Sequence, residues 1–133
     1  MALPKKKALV LYEDEWCKVT EKELTIKWYY FPTAQNKRID VSTIKGIYYQ
    51  CQNEKYSFGT FKGWGMSLTP CWWSCDIKRQ LRGAETARTH YNVVIDSGQT
   101  WYQGFTTNDI QRLLEVAREV FPTDSIICEG LPF

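Results

Sequence analysis

The last third of the chain holds the pattern that most restricts how it can fold. Residues 91–96 and 99–105 each have the composition of a short strand, and Ser97-Gly98 between them is a turn signal. One amphipathic helix follows and reaches Phe121, because Pro122 cannot continue it. Two paired strands closed by one terminal helix indicate a β-rich domain with a helical lid.

The periodicity of this terminal helix predicts that one of its faces is buried. Thr106 and Thr107 are good N-cap types, and Asp109 lies three residues after Thr106, so the entry resembles a capping box. An apolar face of this kind predicts a helix that packs on the core of the domain, and the alternative is a helix that binds a partner. The apolar residues of the helix recur at steps of three and four: Ile110, Leu113, Leu114, Ala117, Val120 and Phe121.

Most of the remaining chain alternates with period two, as half-buried strands do. In residues 24–31 the side chains of Leu24, Ile26, Trp28 and Tyr30 share one face. Residues 51–65 have a weaker signal, typical of a long aromatic loop or an irregular strand pair, and residues 77–89 fit a loop or a short helix equally. Further strands are predicted at residues 16–19, 38–41, 44–50 and 66–76.

Length and charge restrict the class of protein. A chain of 133 residues with 44% hydrophobic content suits one domain, residues 1–133, with a core at about 16–121 and loosely held ends at 1–7 and 122–133. The formal net charge of +2 argues against duplex nucleic acid as a specific partner.

The compartment is predicted from the cysteines and from the lack of a membrane segment. The five cysteines are odd in number and lack a disulfide-framework spacing. Neither a signal peptide nor a transmembrane segment is recognisable, so we expect reduced thiols and a cytoplasmic protein. The nucleus and a peripheral position at a membrane are alternatives.

Several short runs resemble the stand-alone pleckstrin-homology-like domains. They are residues 38–44, Gly63-Trp64-Gly65-Met66, Ile95-Asp96-Ser97-Gly98 and Gly104-Phe105 leading into a helix, and the resemblance covers residues 16–121. It implies a mainly β fold, a β-barrel or roll of about seven antiparallel strands capped by one C-terminal α-helix. It also implies a module that binds phosphoinositide headgroups, peptides or proteins and is seldom an enzyme.

The candidate ligand-binding residues lie in a basic stretch with two tryptophans. Such cations can meet anionic lipid or phosphate, and because adjacent strand residues point to opposite faces, only one of Trp72 and Trp73 can enter the core. The alternative for the charges is a merely solvated face. The predicted residues are Trp72, Trp73, Lys78, Arg79, Arg82 and Arg88.

A second group of basic residues is a weaker candidate for ligand binding. Phosphoinositide-binding members of the family usually carry a lysine and an arginine around the first two strands. The matching region has Lys18, Lys22 and Lys27 but no arginine, so that motif is incomplete.

Catalytic and metal sites find little support. Cys71, Cys75 and His90 are zinc-type ligands without a standard finger spacing, so we expect no metal and no cofactor. His90 is the only histidine, and no cysteine has a nucleophile motif around it. Residues 59–63 place a lysine among glycines but lack the phosphate-loop pattern.

Three functions therefore compete. The leading prediction is a non-catalytic binding or adaptor module that recognises a protein segment or an anionic lipid surface. The alternative is a β-barrel carrier of a small apolar ligand. An enzyme comes third, since no catalytic constellation supports it.

Overall fold

The structure, a computed structural model, describes residues 8–54 and 62–133 and contains two β-sheets. The first is an antiparallel meander in which each strand pairs with the next along the chain. Its strands, in order, are β1 (Val10–Glu13), β2 (Cys17–Thr20), β3 (Glu23–Ile26) and β4 (Lys37–Asp40).

The second sheet has the order β10-β5-β8-β9-β7-β6. Strands β5, β8 and β9 pair antiparallel, whereas β10 pairs parallel with β5 and β7 parallel with β9. Its strands are β5 (Gly46–Cys51), β6 (Gly65–Met66), β7 (Cys71–Trp73), β8 (Tyr91–Asp96), β9 (Tyr102–Thr107) and β10 (Ile126–Glu129). The α-helices are α1 (Ala84–Ala87) and α2 (Ile110–Val120), and single 3-10 turns lie at Val41–Thr43 and Ile77–Gln80.

The predicted barrel of about seven antiparallel strands is wrong. Ten strands of the described residues form two separate sheets, neither of which closes, and two of the strand pairs are parallel. The physical reason is that the parallel partners are not joined by hairpins: α1, α2 and several strands lie between β5 and β10, and β8 lies between β7 and β9. Such long connections allow parallel pairing, which a two-residue hairpin does not. Alternation along a sequence identifies strands, but it does not identify their partners.

Two local expectations also change. The strand predicted at 24–31 ends at Ile26, because Trp28 takes a left-handed conformation with φ of 56° that no regular strand accommodates. Residues 122–133, expected to be loose, contain β10 with four residues in register on β5. Residues 55–61 of the predicted loop at 51–65, and the whole of the end at 1–7, lie outside the described residues.

Helix α2 buries its apolar face in a core that both sheets share. Leu113, Leu114, Val116 and Ala117 are buried there with residues of β2, β3, β5, β8 and β9. Each large apolar side chain contributes about 1.5–3 kcal/mol by leaving water. The N-cap is Asp109, whose carboxylate accepts from the Arg112 N–H at 3.2 Å. Thr106 and Thr107, the expected caps, end β9 instead.

Strand β7 separates two tryptophans onto opposite faces of the second sheet. Trp73 is fully buried in a small cluster with Cys71 and Val94, whereas Trp72 is half-buried against the main core. Trp73 lies across Gly104 of β9 so closely that a Cβ there would stand 2.4 Å from the ring. Gly104 thus allows the tight approach that fixes β7, and with it the direction of Trp72.

Candidate functional site

The basic stretch after β7 contains one arginine that is wholly internal. Arg79 is 2% exposed, its Nη1 donates to the Lys62 carbonyl at 2.5 Å, and its Nη2 donates to the Ser74 carbonyl at 3.0 Å. Its guanidinium also lies 4.8 Å from the centre of the Trp73 ring. Burial lowers the pKa of Arg79 to about 10, which still leaves it charged at neutral pH. The geometry is that of a clamp between two backbone segments.

A second arginine forms a buried ion pair. Arg82 Nη1 and Nη2 lie 2.7 and 3.0 Å from the two carboxylate oxygens of Asp76, with only 7% and 5% of the two side chains exposed. Arg82 also donates to Gln52 Oε1 at 2.8 Å, and the Thr106 hydroxyl donates to Asp76 at 2.6 Å. Burial alone would raise the pKa of Asp76, but the hydrogen bonds from Arg82 and Thr106 and the nearby guanidinium charges lower it overall.

The other two predicted cations face solvent. Lys78 is exposed in the 3-10 turn, and Arg88 Nη2 lies 3.3 Å from Glu85 Oε2 in a pair whose side chains are 64% and 90% exposed. An exposed pair of this kind is held weakly. The structure therefore leaves two of the four predicted basic side chains accessible to an anionic partner.

The alternative lysines lie on the first sheet. Lys27, just after β3, contacts Glu13 at 2.6 Å and the Asp14 carbonyl at 2.8 Å. Lys18 is half-buried in β2, and Lys22 is exposed in the turn between β2 and β3. These three lysines do not form a cluster that would hold one phosphate group.

The ion pair forms one side of what we call the polar cleft, an opening of about 620 Å³ lined by Trp16, Trp28, Cys75, Asp76, Arg82 and His90 among others. The Arg82 guanidinium lies 5.5 Å from the centre of the Trp16 ring, and the His90 ring meets Trp16 edge-on at 5.5 Å. His90 Nδ1 is 2.8 Å from the Thr86 carbonyl, and burial raises the pKa of the Cys75 thiol.

The zinc-type residues do not form a metal site. In residues 8–54 and 62–133, no group of three histidine, cysteine or acidic side chains is placed to hold a metal ion. Cys71 is buried in the small cluster behind β7, whereas Cys75 and His90 line the polar cleft. All five cysteines are described, and no disulfide joins any two of them.

A second opening, which we call the aromatic cleft, lies between the two sheets. It has a volume of about 600 Å³. One side comes from the loop after β3, and the other comes from β7 and the turn between β8 and β9. Its principal lining side chains are Tyr29, Tyr30, Lys37, Trp72, Trp101 and Gln103.

Hydrogen bonds hold the loop after β3 in place. The indole N–H groups of Trp64 and Trp72 both donate to the Tyr29 carbonyl, at 3.0 and 2.9 Å. The Gln35 carbonyl accepts from the N–H groups of Tyr29 and Tyr30 at 3.1 and 3.0 Å. Tyr30 is nevertheless 40% exposed at the cleft, although these bonds fix its backbone.

The opposite turn is held by a buried amide. Gln103 is 1% exposed, accepts from the Ser97 hydroxyl at 2.7 Å and donates to the Trp101 carbonyl through a short hydrogen bond. Gly98, with φ of 76°, provides the left-handed residue that the turn needs. Trp101 is therefore 49% exposed, although its backbone carbonyl is held by the buried Gln103.

Sequence reasoning found only Trp72 of this cleft. It assigned the aromatic run of residues 28–31 to the strand predicted at 24–31, and Trp101 to the strand predicted at 99–105. The signal available was the run of four aromatics just before Pro32, since a chain that turns there cannot bury all of them.

Comparisons with protein-family models, with curated proteins and with solved structures find no match. The resemblance to pleckstrin-homology-like domains stays a prediction. No helix in the described part of the chain is long and apolar enough to cross a bilayer.

Proposed function

We propose that this chain is a non-catalytic binding module that holds an extended segment of a partner protein in the aromatic cleft. The observation that carries the proposal is the pair of exposed aromatic side chains, Tyr30 and Trp101, on backbones held by hydrogen bonds from Tyr30 to the Gln35 carbonyl and from the buried Gln103 to the Trp101 carbonyl. Rigid aromatic side chains lose little conformational entropy on binding and are typical anchors of protein interfaces.

A protein segment fits this cleft better than a carried small molecule. The exposed rings of Tyr30 and Trp101 open the cleft to solvent, whereas a carrier encloses most of its ligand. The carrier hypothesis also needs a closed barrel, and the two sheets are open. An extended chain can instead lie along an open cleft and leave at both ends.

An anionic membrane surface has less support than a protein. Arg79 and Arg82 are bound to carbonyls and to Asp76, so recruitment through the basic stretch depends on Lys78 and Arg88. Near an anionic surface each basic residue contributes about 1 kcal/mol, and two of them give only weak binding.

The polar cleft gives no support to an enzyme. The raised pKa of Cys75 keeps it a thiol at neutral pH, and thiols are poor nucleophiles. The Asp76 carboxylate is occupied by Arg82 and Thr106, which leaves it a poor general base. A cytoplasmic or nuclear location stays part of the proposal and rests on the cysteine pattern.

Selection from a random peptide library displayed on phage tests the proposal. Wild type and a Trp101→Ala variant serve as parallel baits, and Trp28→Ala is the matched control because Trp28 is equally exposed but lines the polar cleft. We expect peptides that bind wild type and Trp28→Ala but lose binding to Trp101→Ala. Failure to enrich any peptide, or enrichment that ignores Trp101, would overturn the proposal.

A second arm tests the membrane alternative. Liposomes containing phosphoinositides are sedimented with wild type and with a Lys78→Glu, Arg88→Glu double variant. We expect no sedimentation of either protein at physiological salt. Sedimentation of wild type alone, together with a failed peptide selection, would replace the protein segment with a lipid surface.

A further inference from the structure

One lysine of the aromatic cleft lies in no ion pair with another described residue. Lys37 opens β4, is half-buried, and has its Nζ 3.3 Å from the Tyr30 hydroxyl. The residues that line the aromatic cleft include no aspartate or glutamate. Among the ion pairs of the described residues, none includes Lys37. Among the lining residues that the structure describes, Lys37 is therefore the one positive charge, and it lies among aromatic rings.

The rings keep this charge at the cleft. Nζ lies 5.8 and 5.7 Å from the centres of the Tyr29 and Tyr30 rings, within the range at which a cation is attracted to an aromatic face. These contacts orient the ammonium group but do not neutralise it. Elsewhere in the fold, Lys27 and Arg82 each lie within 2.7 Å of a carboxylate oxygen.

From this arrangement we propose that the segment held in the aromatic cleft carries an aspartate or glutamate side chain beside a large apolar one. The proposal rests on the proposed function and names the chemistry of its ligand. The carboxylate accepts a charge-assisted hydrogen bond from Lys37 Nζ, while the apolar side chain lies between Trp101 and Trp72. Burial of the carboxylate beside the rings strengthens its attraction to the ammonium group, because less water screens the two charges.

A carboxylate matches the site better than a phosphate group. A phosphorylated side chain carries close to two negative charges, and proteins usually bind it with clustered arginines. In residues 8–54 and 62–133, the lining of the aromatic cleft contains one lysine and no arginine. One ammonium group balances one carboxylate, so an unmodified acidic segment is the occupant.

Fluorescence anisotropy with a peptide from the phage selection tests the inference. The acidic peptide and its Glu→Gln or Asp→Asn counterpart are titrated with wild type, Lys37→Gln, Lys37→Arg and Lys45→Gln. Lys45 is the matched control, because its side chain lies against the same turn at Gly98 but outside the aromatic cleft. We expect Lys37→Gln to lower the affinity for the acidic peptide about tenfold. Lys37→Arg and Lys45→Gln should lower that affinity far less. The amide peptide should bind wild type and Lys37→Gln alike.

Two results would overturn the proposal that the bound segment is acidic. One is a set of selected peptides that need Trp101 but contain no excess of aspartate and glutamate. The other is an acidic peptide that binds Lys37→Gln as well as it binds wild type. Both leave the proposed function intact, because its failure is seen earlier, as a selection that yields no peptide dependent on Trp101.

Discussion

The polar cleft and the aromatic cleft are similar in size, at about 620 and 600 Å³, but they differ in whether their least exposed charged side chain lies in an ion pair of the described residues. In the polar cleft, Arg82 and Asp76 neutralise each other, Gln52 accepts a further hydrogen bond from Arg82, and Thr106 donates one to Asp76. In the aromatic cleft, Lys37 contacts only a hydroxyl and two rings in the described structure.

This difference separates charges that hold the fold together from charges that a partner can use. A buried charge must find a counter-charge or hydrogen-bond acceptors within the chain, because leaving it unpaired costs several kcal/mol. A half-buried lysine at a cleft can instead stay hydrated until a partner arrives. The charge run of residues 78–88 therefore serves the fold in part, whereas a single lysine far from it in sequence serves the proposed ligand.

Asp76→Asn should have the largest effect on stability. It keeps the shape of the side chain but leaves the Arg82 guanidinium buried without a counter-charge, so we expect a loss of about 3–5 kcal/mol in the free energy of unfolding. Urea denaturation at pH 7 measures it. Glu85→Gln breaks the exposed pair with Arg88 and is the control, for which we expect no measurable change. Equal effects of the two substitutions would show that the ion pair between Asp76 and Arg82 does not stabilise the fold.

Acid should remove the same contribution from the wild type. The folded-state pKa of Asp76 is lowered from its ordinary value of 3.8, so the ion pair stabilises the fold above about pH 3.8. This stabilisation is lost as pH falls below that value and through the folded-state pKa. We expect the stability difference between wild type and Asp76→Asn to be full at pH 7 and to shrink below pH 4. A difference that is constant from pH 7 to pH 3 would contradict the assignment.

Two tryptophans of the aromatic cleft should differ in what they stabilise. Trp72→Ala removes a ring that packs on the main core and an indole that holds the Tyr29 carbonyl, so we expect a loss of about 2 kcal/mol. Trp101→Ala removes a ring that is half in solvent, and the loss should stay below about 1 kcal/mol. Thermal unfolding of both variants makes the comparison. A larger loss for Trp101→Ala would mean that this ring belongs to the fold and is not a free anchor.

Lys37→Gln should change stability least. Its ammonium makes no ion pair with a described residue, and its ring contacts are at the long end of the attractive range, so we expect a change within about 0.5 kcal/mol. Chemical denaturation beside wild type checks it. A clear destabilisation would show that Lys37 supports the fold.

Sequence reasoning succeeded where structure depends on neighbours along the chain. The positions of Leu113, Leu114 and Ala117 on one helical face follow from a period of 3.6, and those of β8 and β9 follow from a run of strand formers around one turn. It failed for Trp28, whose place in an alternating run conceals its left-handed backbone. It also failed for β10, since no local signal shows that four residues near the end pair with β5.

The candidate site was predicted only in part for a related reason. Arg79 and Arg82 have the same sequence appearance as Lys78 and Arg88, because a run of basic residues shows charge but not exposure. The charge of Arg82 is neutralised by Asp76. Asp76 in turn accepts a hydrogen bond from Thr106, which lies 30 residues further along the chain. The pairing of Tyr29 with Trp72 spans 43 residues.

By itself the sequence determined the face that α2 buries, most of the strands and the near-neutral charge of the chain, because these depend on composition and short-range periodicity. The tertiary structure alone decided that the sheets stay open, which arginines are neutralised and which aromatic rings remain at the surface. Those outcomes depend on contacts between residues that are distant in the chain, and such contacts are set by how all the segments pack together.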